Sequence, residues 1–166
     1  MSSLPLSVRP ATLEDAPTIL SIFSEAEAQA QTDFKSGINL IGVMDWVESA
    51  DELRPLWVLE SDQAIIGWCS LENFYGLPSF DGVVEVAIYI QHDYQRLGCG
   101  HWLLNYIAKQ AGHLDIHTLV AYVLMANHNS HTFFLKNNFE TWGRLPNVAR
   151  CGGVHGDLVL LGRQLG

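Results

Sequence analysis

Two features within residues 83–100, VVEVAIYIQHDYQRLGCG, have the residue types and spacing to do chemistry. The first is Gln95-Arg96-Leu97-Gly98-Cys99-Gly100, a Q/R-x-x-G-x-G turn between a β-rich run and the start of a helix. N–H groups in a helix's first turn lack intrahelical partners and point one way, with the positive end of the helix dipole behind them. Such a turn is an anion cradle, and here it suits a pyrophosphate. Gly98 and Gly100 let the main chain approach a phosphate without a Cβ in the way. The second feature is Glu85, a lone carboxylate in an apolar strand. Such a group is paired, raised in pKa or set at a cleft, and it is a candidate general base; the plain alternative is a cross-strand partner for a cation.

Other readings of the glycines fail on context. A Walker P-loop closes on G-K-[S/T], and His101 follows Gly100 here. A dinucleotide fingerprint needs G-x-G-x-x-G after an early strand and an acid on a later one. His113 and His117, and His128 and His131, have helical spacing, but no third ligand accompanies either pair, so no metal is expected. Cys99 is either a thiol activated by the helix N-terminus or a small residue packed beneath the turn.

Composition narrows the class. A chain of 166 residues, 48% hydrophobic, forms one domain, residues 1–166, with a sizeable core. The formal net charge of −9, with dispersed Lys and Arg, argues against nucleic acid. It does not argue against phosphate, because a local nest of backbone N–H groups binds anions whatever the global charge. No apolar run reaches the ~18 residues of a membrane span, and residues 1–10 lack a signal-peptide pattern. Three scattered cysteines, Cys69, Cys99 and Cys151, fit a reducing cytosol.

Periodicity supplies the elements that must position the site. Residues 8–10 read as a strand, and Thr12 to Asp15 as a helix start with Pro17 tolerated near it. Ile19, Leu20, Phe23 and Ala26 form a core-facing stripe. Residues 29–36 read as a loop and 43–50 as a second helix. Residues 56–60 and 65–71 flank a polar turn as a hairpin. A loop over 73–82 leads into the Glu85 strand, and a helix carrying Trp102, Leu103, Tyr106, Ile107 and Ala111 follows the glycine turn. Residues 118–126 read as a strand buried on both faces. A helix follows over 127–138, with Phe133, Phe134 and Thr132 inward, and strands over 140–145 and 156–164 close the chain. The pattern is α/β (α+β) with a mixed sheet.

In this order the chain resembles the GCN5-related N-acetyltransferase (GNAT) family. The resemblance is carried by Val8-Arg9-Pro10-Ala11, the Gly67-Trp68 hairpin, the Val84–Ile90 strand, the Q-x-x-G-x-G turn and the N-x-x-S helix from Asn127 to Phe139. Gly67-Trp68, Val84-Glu85, Tyr89 and His117-Thr118-Leu119-Val120 are similar to the phosphinothricin acetyltransferase branch. The resemblance implies a mostly antiparallel sheet of about six or seven strands, flanked by helices, with two central strands splayed apart. It implies acetyl-CoA as co-substrate, a small-molecule amine as acceptor, direct attack in a ternary complex, and a homodimer. Ile88, Tyr89 and Ile90 would offer main-chain groups to the pantetheine arm, and the N–H of Ile90 would meet the thioester oxygen. Gln95, Arg96, Leu97, Gly98, Cys99, Gly100 and His101 would hold the pyrophosphate, with Asn127 and Ser130 completing the cofactor site. Glu85 matches the family's general base.

Two departures bear on mechanism and substrate. Phe134 stands where many members place a tyrosine acid, so Ser130, His131 or water is left to protonate the thiolate; Asn138 replaces a glycine at a helix end. No Lys or Arg lies between Arg54 and Arg96, where relatives commonly meet an anionic amino acid. The loop there offers Phe74, Tyr75 and Phe80, an aromatic, uncharged substrate pocket suited to an amine less anionic than phosphinothricin. A protein or peptide N-acetyltransferase and a non-catalytic acyl-CoA-binding module are the alternatives on this fold.

Overall fold

The computed structural model describes residues 4–30, 38–151 and 154–166. Among them run β1 (Leu6–Pro10), α1 (Ala16–Ala30), α2 (Leu40–Ser49), β2 (Leu56–Ser61), β3 (Ala64–Asn73), β4 (Val83–Ile90), α3 (Cys99–Gln110), β5 (Thr118–Leu124), α4 (His128–Lys136), β6 (Glu140–Cys151) and β7 (Val154–Gln164). The strands form one sheet in the order β1-β2-β3-β4-β5-β7-β6. All neighbours are antiparallel except β4 and β5. No helix among the described residues is long and apolar enough to cross a membrane.

Local chemistry explains most of the boundaries. Asp62 and Gln63, at φ 51° and 69°, make the two-residue left-handed turn that matches strand twist, so β2 and β3 close as a tight hairpin. The second helix starts earlier than its apolar run suggests, because Asn39 caps it by accepting from the Gly42 N–H at 2.9 Å. Gln29 and Ala30, expected in a loop, are the last residues of α1; the rest of that expected loop lies outside the described residues. Asn138 takes the left-handed conformation (φ 70°) that ends α4, and the Phe139 N–H returns to the Phe134 carbonyl at 3.1 Å. Strand β6 runs past the expected 145 to Cys151.

The period-2 alternation of strand side chains sorts the core into layers. Cys69, Leu71, Val84 and Val86 point to one face and pack with Leu103 and Ile107 of α3 and Phe134 of α4. Trp68 points to the other face, against Ile19 of α1 and Val43 of α2. Strand β5 is not buried on both faces throughout: Tyr122 is 36% exposed. Thr132, expected inward on α4, is exposed.

The central strands splay. β4 pairs with β5 only at Val83↔Thr118, Val84↔Leu119 and Glu85↔Val120. Beyond Glu85, β4 continues beside β3 as far as Gly67↔Ile90, while β5 follows β7 to Leu124↔Leu158. A wedge therefore opens from Glu85 toward the glycine turn.

An ion cluster ties β1 to the start of α1. Arg9 donates to both carboxylate oxygens of Asp15 (2.8 and 3.0 Å) and to Glu60 (2.9 Å), and Asp15 also accepts from the Thr12 N–H at 2.8 Å. The bond to Arg9 holds the Asp15 carboxyl below its ordinary range. A depressed carboxyl contributes stability above its unfolded value near 3.9, and that contribution is lost as pH falls through the lower folded value. Asp15→Asn should lower stability at pH 7 by on the order of 1–2 kcal/mol, allowing for solvent screening at the exposed Arg9 side. The gap from the parent should close as thermal melts are carried from pH 5 to pH 2; a constant gap would remove the ion pair from the explanation.

Candidate active site

Glu85 lies at the apex of the splay with its backbone paired on both sides. Its direct cross-strand partner is Glu72, so two carboxylates share one face of the sheet. Burial, and then the charge of Glu72, raise the Glu85 carboxyl above the usual carboxylate range. No salt bridge to Glu85 occurs among the described residues, and the cation-partner reading finds no support. Glu85 in turn acts on two phenols. Burial, Glu27 and Glu85 push the Tyr89 hydroxyl up, and burial and Glu85 push that of Tyr122 up.

Hydrogen-bond alternation decides which main-chain groups of β4 face the wedge. Phe74 N–H donates to the Val83 carbonyl and Gln91 N–H to that of Ile66, so positions 83, 85, 87, 89 and 91 are the ones turned toward β3. The Val86 N–H closes the last β4–β5 pairing, at Glu85↔Val120, so the Val86 carbonyl and the N–H and C=O groups of Ile88 and Ile90 are the ones that point into the wedge. Those of Tyr89 are turned to Trp68 on β3 and are not available there, a correction to the expected cofactor set. The Ile90 carbonyl already accepts from Gln95 Nε2 at 3.0 Å. Ile90 lies at the turn end of the wedge, five residues from Glu85; Val86 and Ile88 lie nearer the carboxylate.

The glycine turn has the anticipated geometry at one glycine and a different one at the other. Gly98 is left-handed (φ 83°), and a Cβ there would meet no protein atom within 4 Å. Gly100 sits inside α3, and its Cβ would stand 2.8 Å from the Phe133 ring, so this glycine allows α4 to pack against α3. The N–H groups of Cys99, Gly100 and His101 open α3 with no acceptor in the helix, since Trp102 is the first to bond back, to Gly98. Gln95, Arg96, Leu97 and Gly98 are exposed. The Cys99 side chain is buried and its thiol raised by desolvation, so the packed reading holds over the activated one.

A side-chain brace fixes α4 against this turn. Asn137 Nδ2 donates to the Phe133 carbonyl at 2.8 Å, and its Oδ1 faces His101 Nδ1 at 2.5 Å. That network assigns the His101 proton to Nδ1 and leaves Nε2 accepting from Asn105 at 3.1 Å. The His101 ring is structural, and its backbone N–H remains for an anion. Asn127 caps α4 by accepting from the Ser130 N–H at 3.3 Å, leaving its Nδ2 to donate elsewhere. Phe134 is 6% exposed, its ring packed edge-on against Phe133 and Phe139 in the core. Phe134→Tyr should therefore leave turnover within about threefold and lower Tm by a few degrees, through a hydroxyl buried without a partner. A large gain in rate would reverse this assignment.

The expected substrate residues lie apart from the cavity. Phe74, Tyr75 and Phe80 form a ring cluster in which Tyr75 and Phe80 are exposed and Phe74 is half-buried, stacked on Tyr122 (centroids 6.4 Å, 14° between planes). A cavity of about 140 Å³ beside the Glu72–Glu85 pair is lined by Phe23, Trp46, Trp68 and Tyr89, together with Leu56, Ser70, Ala87 and Glu72. Its walls are aromatic, though not those of the expected loop residues, and Glu72 borders it. Glu72 and Trp68 carried a period-2 signal in β3, but their register against Glu85 depends on a loop that the sequence leaves open. Among the described residues no group of three or more metal-ligating side chains gathers. His117 bonds to Thr118 Oγ1 at 2.7 Å.

Comparison with known proteins bears on this arrangement. The family model described as "Acetyltransferase (GNAT) family" matches residues 19–139. The chain is 37% identical over 123 residues to the Bacillus subtilis protein named "Putative phosphinothricin acetyltransferase YwnH", covering 74% of this chain and 76% of that one. A crystal structure described as "a putative phosphinothricin N-acetyltransferase" superposes with TM-score 0.87 at 31% identity, covering 98% of this chain and 99% of the other. A Sinorhizobium meliloti phosphinothricin acetyltransferase, crystallised in complex with acetyl-CoA, shares the fold at TM-score 0.83 and 20% identity, over 97% and 89% of the two chains.

Proposed function

Because the chain belongs to the acetyltransferase (GNAT) family, we propose that it transfers the acetyl group of acetyl-CoA to the primary amine of a small molecule within a ternary complex. The observation that carries this reading is the wedge. It begins at a raised carboxylate, is lined by the main-chain groups of alternate β4 residues that no strand pairs, those of Ile88 and the Ile90 N–H, and ends at a left-handed glycine and three helix N–H groups without an intrahelical acceptor.

That arrangement fits acetyl-CoA. An extended arm pairs with the backbone groups of Ile88 and Ile90 as an added strand does. Cys99, Gly100 and His101 N–H groups face a pyrophosphate over the open side of Gly98, with Arg96 adding charge. Asn127 Nδ2 is a further donor to the arm. Acetyl-CoA supplies an acyl group already activated as a thioester. We place the thioester oxygen beside Ile88, whose backbone N–H is the first on this edge past the β4–β5 pairing and can meet it as negative charge develops, rather than at Ile90.

Glu85 does the work the amine requires. An ammonium has no lone pair, and an α-amino group of pKa about 8 is only about one-tenth neutral at pH 7. Glu85, directly or through a water, takes the proton that makes the nitrogen nucleophilic. Its raised pKa makes it a stronger base than an ordinary carboxylate. The departing thiol, pKa about 8.5, leaves without an acid, and solvent protonates it.

The test is thiol release from acetyl-CoA against a panel of amines, with product identified by mass. Acetyl transfer to at least one small primary amine is the expected result. Tight acetyl-CoA binding with no transfer to any amine, or transfer only to protein N-termini or lysines, would overturn it.

A further inference from the structure

Two cavities meet at Glu72. The aromatic one shares Trp46, Leu56, Ser70 and Glu72 with a second, of about 250 Å³, that runs on to Asp51, Arg54 and Asn73. Leu56 pairs with Ser70, and the Leu71 N–H donates to the Pro55 carbonyl at 3.0 Å, so the chain at Arg54 runs beside Glu72. Arg54 is half-buried and bonded only to neutral acceptors. Its Nε donates to Asn73 Oδ1 at 2.6 Å, and Nη1 to the Leu53 and Leu114 carbonyls at 2.6 and 2.8 Å. Among the described residues no carboxylate pairs with it, and the two N–H groups of Nη2 have no acceptor. Asp51, at the same end, turns its Oδ1 to the Leu53 and Arg54 N–H groups (3.0 and 2.8 Å). Neutral bonds hold the guanidinium in place without cancelling its charge, which leaves a fixed donor for an anion. In the aromatic arm of the cleft, Trp68 is 2% exposed and its Nε1–H has no partner, a buried donor that calls for an acceptor.

We propose that Arg54 is the specificity-determining residue of this cleft: it receives the carboxylate of the amine substrate, whose nitrogen lies at the Glu72–Glu85 pair and whose side chain offers a neutral oxygen to Trp68. This deepens, and rests on, acetyl transfer to a small amine. The cleft carries its charges as a zwitterion requires, positive at Arg54 and negative at Glu72 and Glu85. A substrate carboxylate that entered beside two others without a cation would lose its hydration uncompensated, so the cation decides whether an amino acid is admitted. Residues 55–95 contain no Lys or Arg, so the loop before β4 cannot supply that charge. The chain between α2 and β2 supplies it instead. The expectation of an uncharged pocket followed from the loop alone. Arg54 acts at a distance from the reacting nitrogen, and its removal changes which amine binds rather than how the proton is taken.

The test separates binding from turnover. Calorimetry on the full chain saturated with CoA compares three probes. Methionine sulfone carries both the carboxylate and neutral side-chain oxygens; 3-(methylsulfonyl)propan-1-amine is the same molecule without the carboxylate, and methionine the same without the oxygens. Methionine sulfone should bind at least tenfold tighter than either of the others. Arg54→Gln should weaken methionine sulfone at least tenfold and the carboxylate-free amine by less than twofold, so that the preference between them disappears. Arg54→Lys should restore part of it, since a point charge replaces the planar fork. Acetyl-CoA affinity, retained in both variants, is the check on folding, and the comparison of probes on the unaltered chain needs no variant. Methionine sulfone binding no tighter than the carboxylate-free amine, or not at all, would overturn the inference, as would a preference that survives Arg54→Gln. Methionine binding as tightly as its sulfone would overturn the part given to Trp68. The expected preference without acetyl transfer would support Arg54 and count against the proposed activity; transfer with no preference for the carboxylate would do the reverse.

Discussion

Glu85→Gln is expected to lower kcat/KM by on the order of 10²-fold at pH 7, and by less than about tenfold once the pH exceeds the pKa of the free amine. The difference follows from what the carboxylate does. Near neutrality most of the amine is protonated, and the wild-type site removes that proton where it is needed; glutamine is nearly isosteric and cannot. At high pH solvent has already removed it, and only the polar contact is lost. The acid side of the profile carries a second signature. Burial and Glu72 raise the Glu85 pKa, so wild-type kcat/KM should fall as pH drops through that raised value, above the ordinary carboxylate range. Removing the charge of Glu72 should move this limb to lower pH, and Glu85→Gln should abolish it while leaving the amine's own deprotonation visible. Tyr89 and Tyr122 face the same carboxylate with their phenols pushed up, so neither contributes a limb near neutrality. Equal losses at pH 7 and pH 10 would show that Glu85 is not the base.

How much of this could be seen in the residues alone depended on the range of the interactions. The glycine turn, the Glu85 strand and the N-x-x-S helix are local patterns, each set by its own backbone chemistry, and their chain order was enough to suggest the fold. Asn138 was readable for the same reason, since asparagine tolerates the left-handed helix end that the next element requires. Quantities set by register were hidden. That Tyr89 turns its main chain to Trp68 while Ile88 and Ile90 face the wedge depends on how β3 slides on β4. The connecting 73–82 loop has no two-residue turn to fix that slide. The opposition of Glu72 and Glu85 has the same origin. The cavity was hidden more deeply, because Phe23 and Trp46 reach Trp68 only after two helices pack over the sheet. The loop aromatics Phe74, Tyr75 and Phe80 were visible by composition; that they contact one another, and that Phe74 stacks on Tyr122, whose phenol is pushed up by burial and by Glu85, was not.

Gly98→Val should raise the Kd for acetyl-CoA by 100-fold or more while leaving a folded protein whose Tm falls by ~2–8 °C. The stability cost is conformational: at φ 83° an L-residue is strained by about 1–2 kcal/mol, and no protein atom lies within 4 Å to add a clash. The affinity cost is larger because the new side chain projects over the face from which the Cys99, Gly100 and His101 N–H groups address an anion. Each hydrogen bond to a charged group is worth about 1.5–3 kcal/mol, so losing two exceeds the strain. Gly100→Ala is the contrasting variant. Its Cβ meets the Phe133 ring at 2.8 Å rather than open space, so α4 must shift, at a cost typical of overpacking, about 1–3 kcal/mol. The two glycines of one motif should thus separate in a plot of ΔTm against acetyl-CoA affinity. Position 98 moves mainly along the affinity axis and position 100 mainly along the stability axis. Unchanged affinity in Gly98→Val would remove the turn from the coenzyme site and leave the wedge without its anion end.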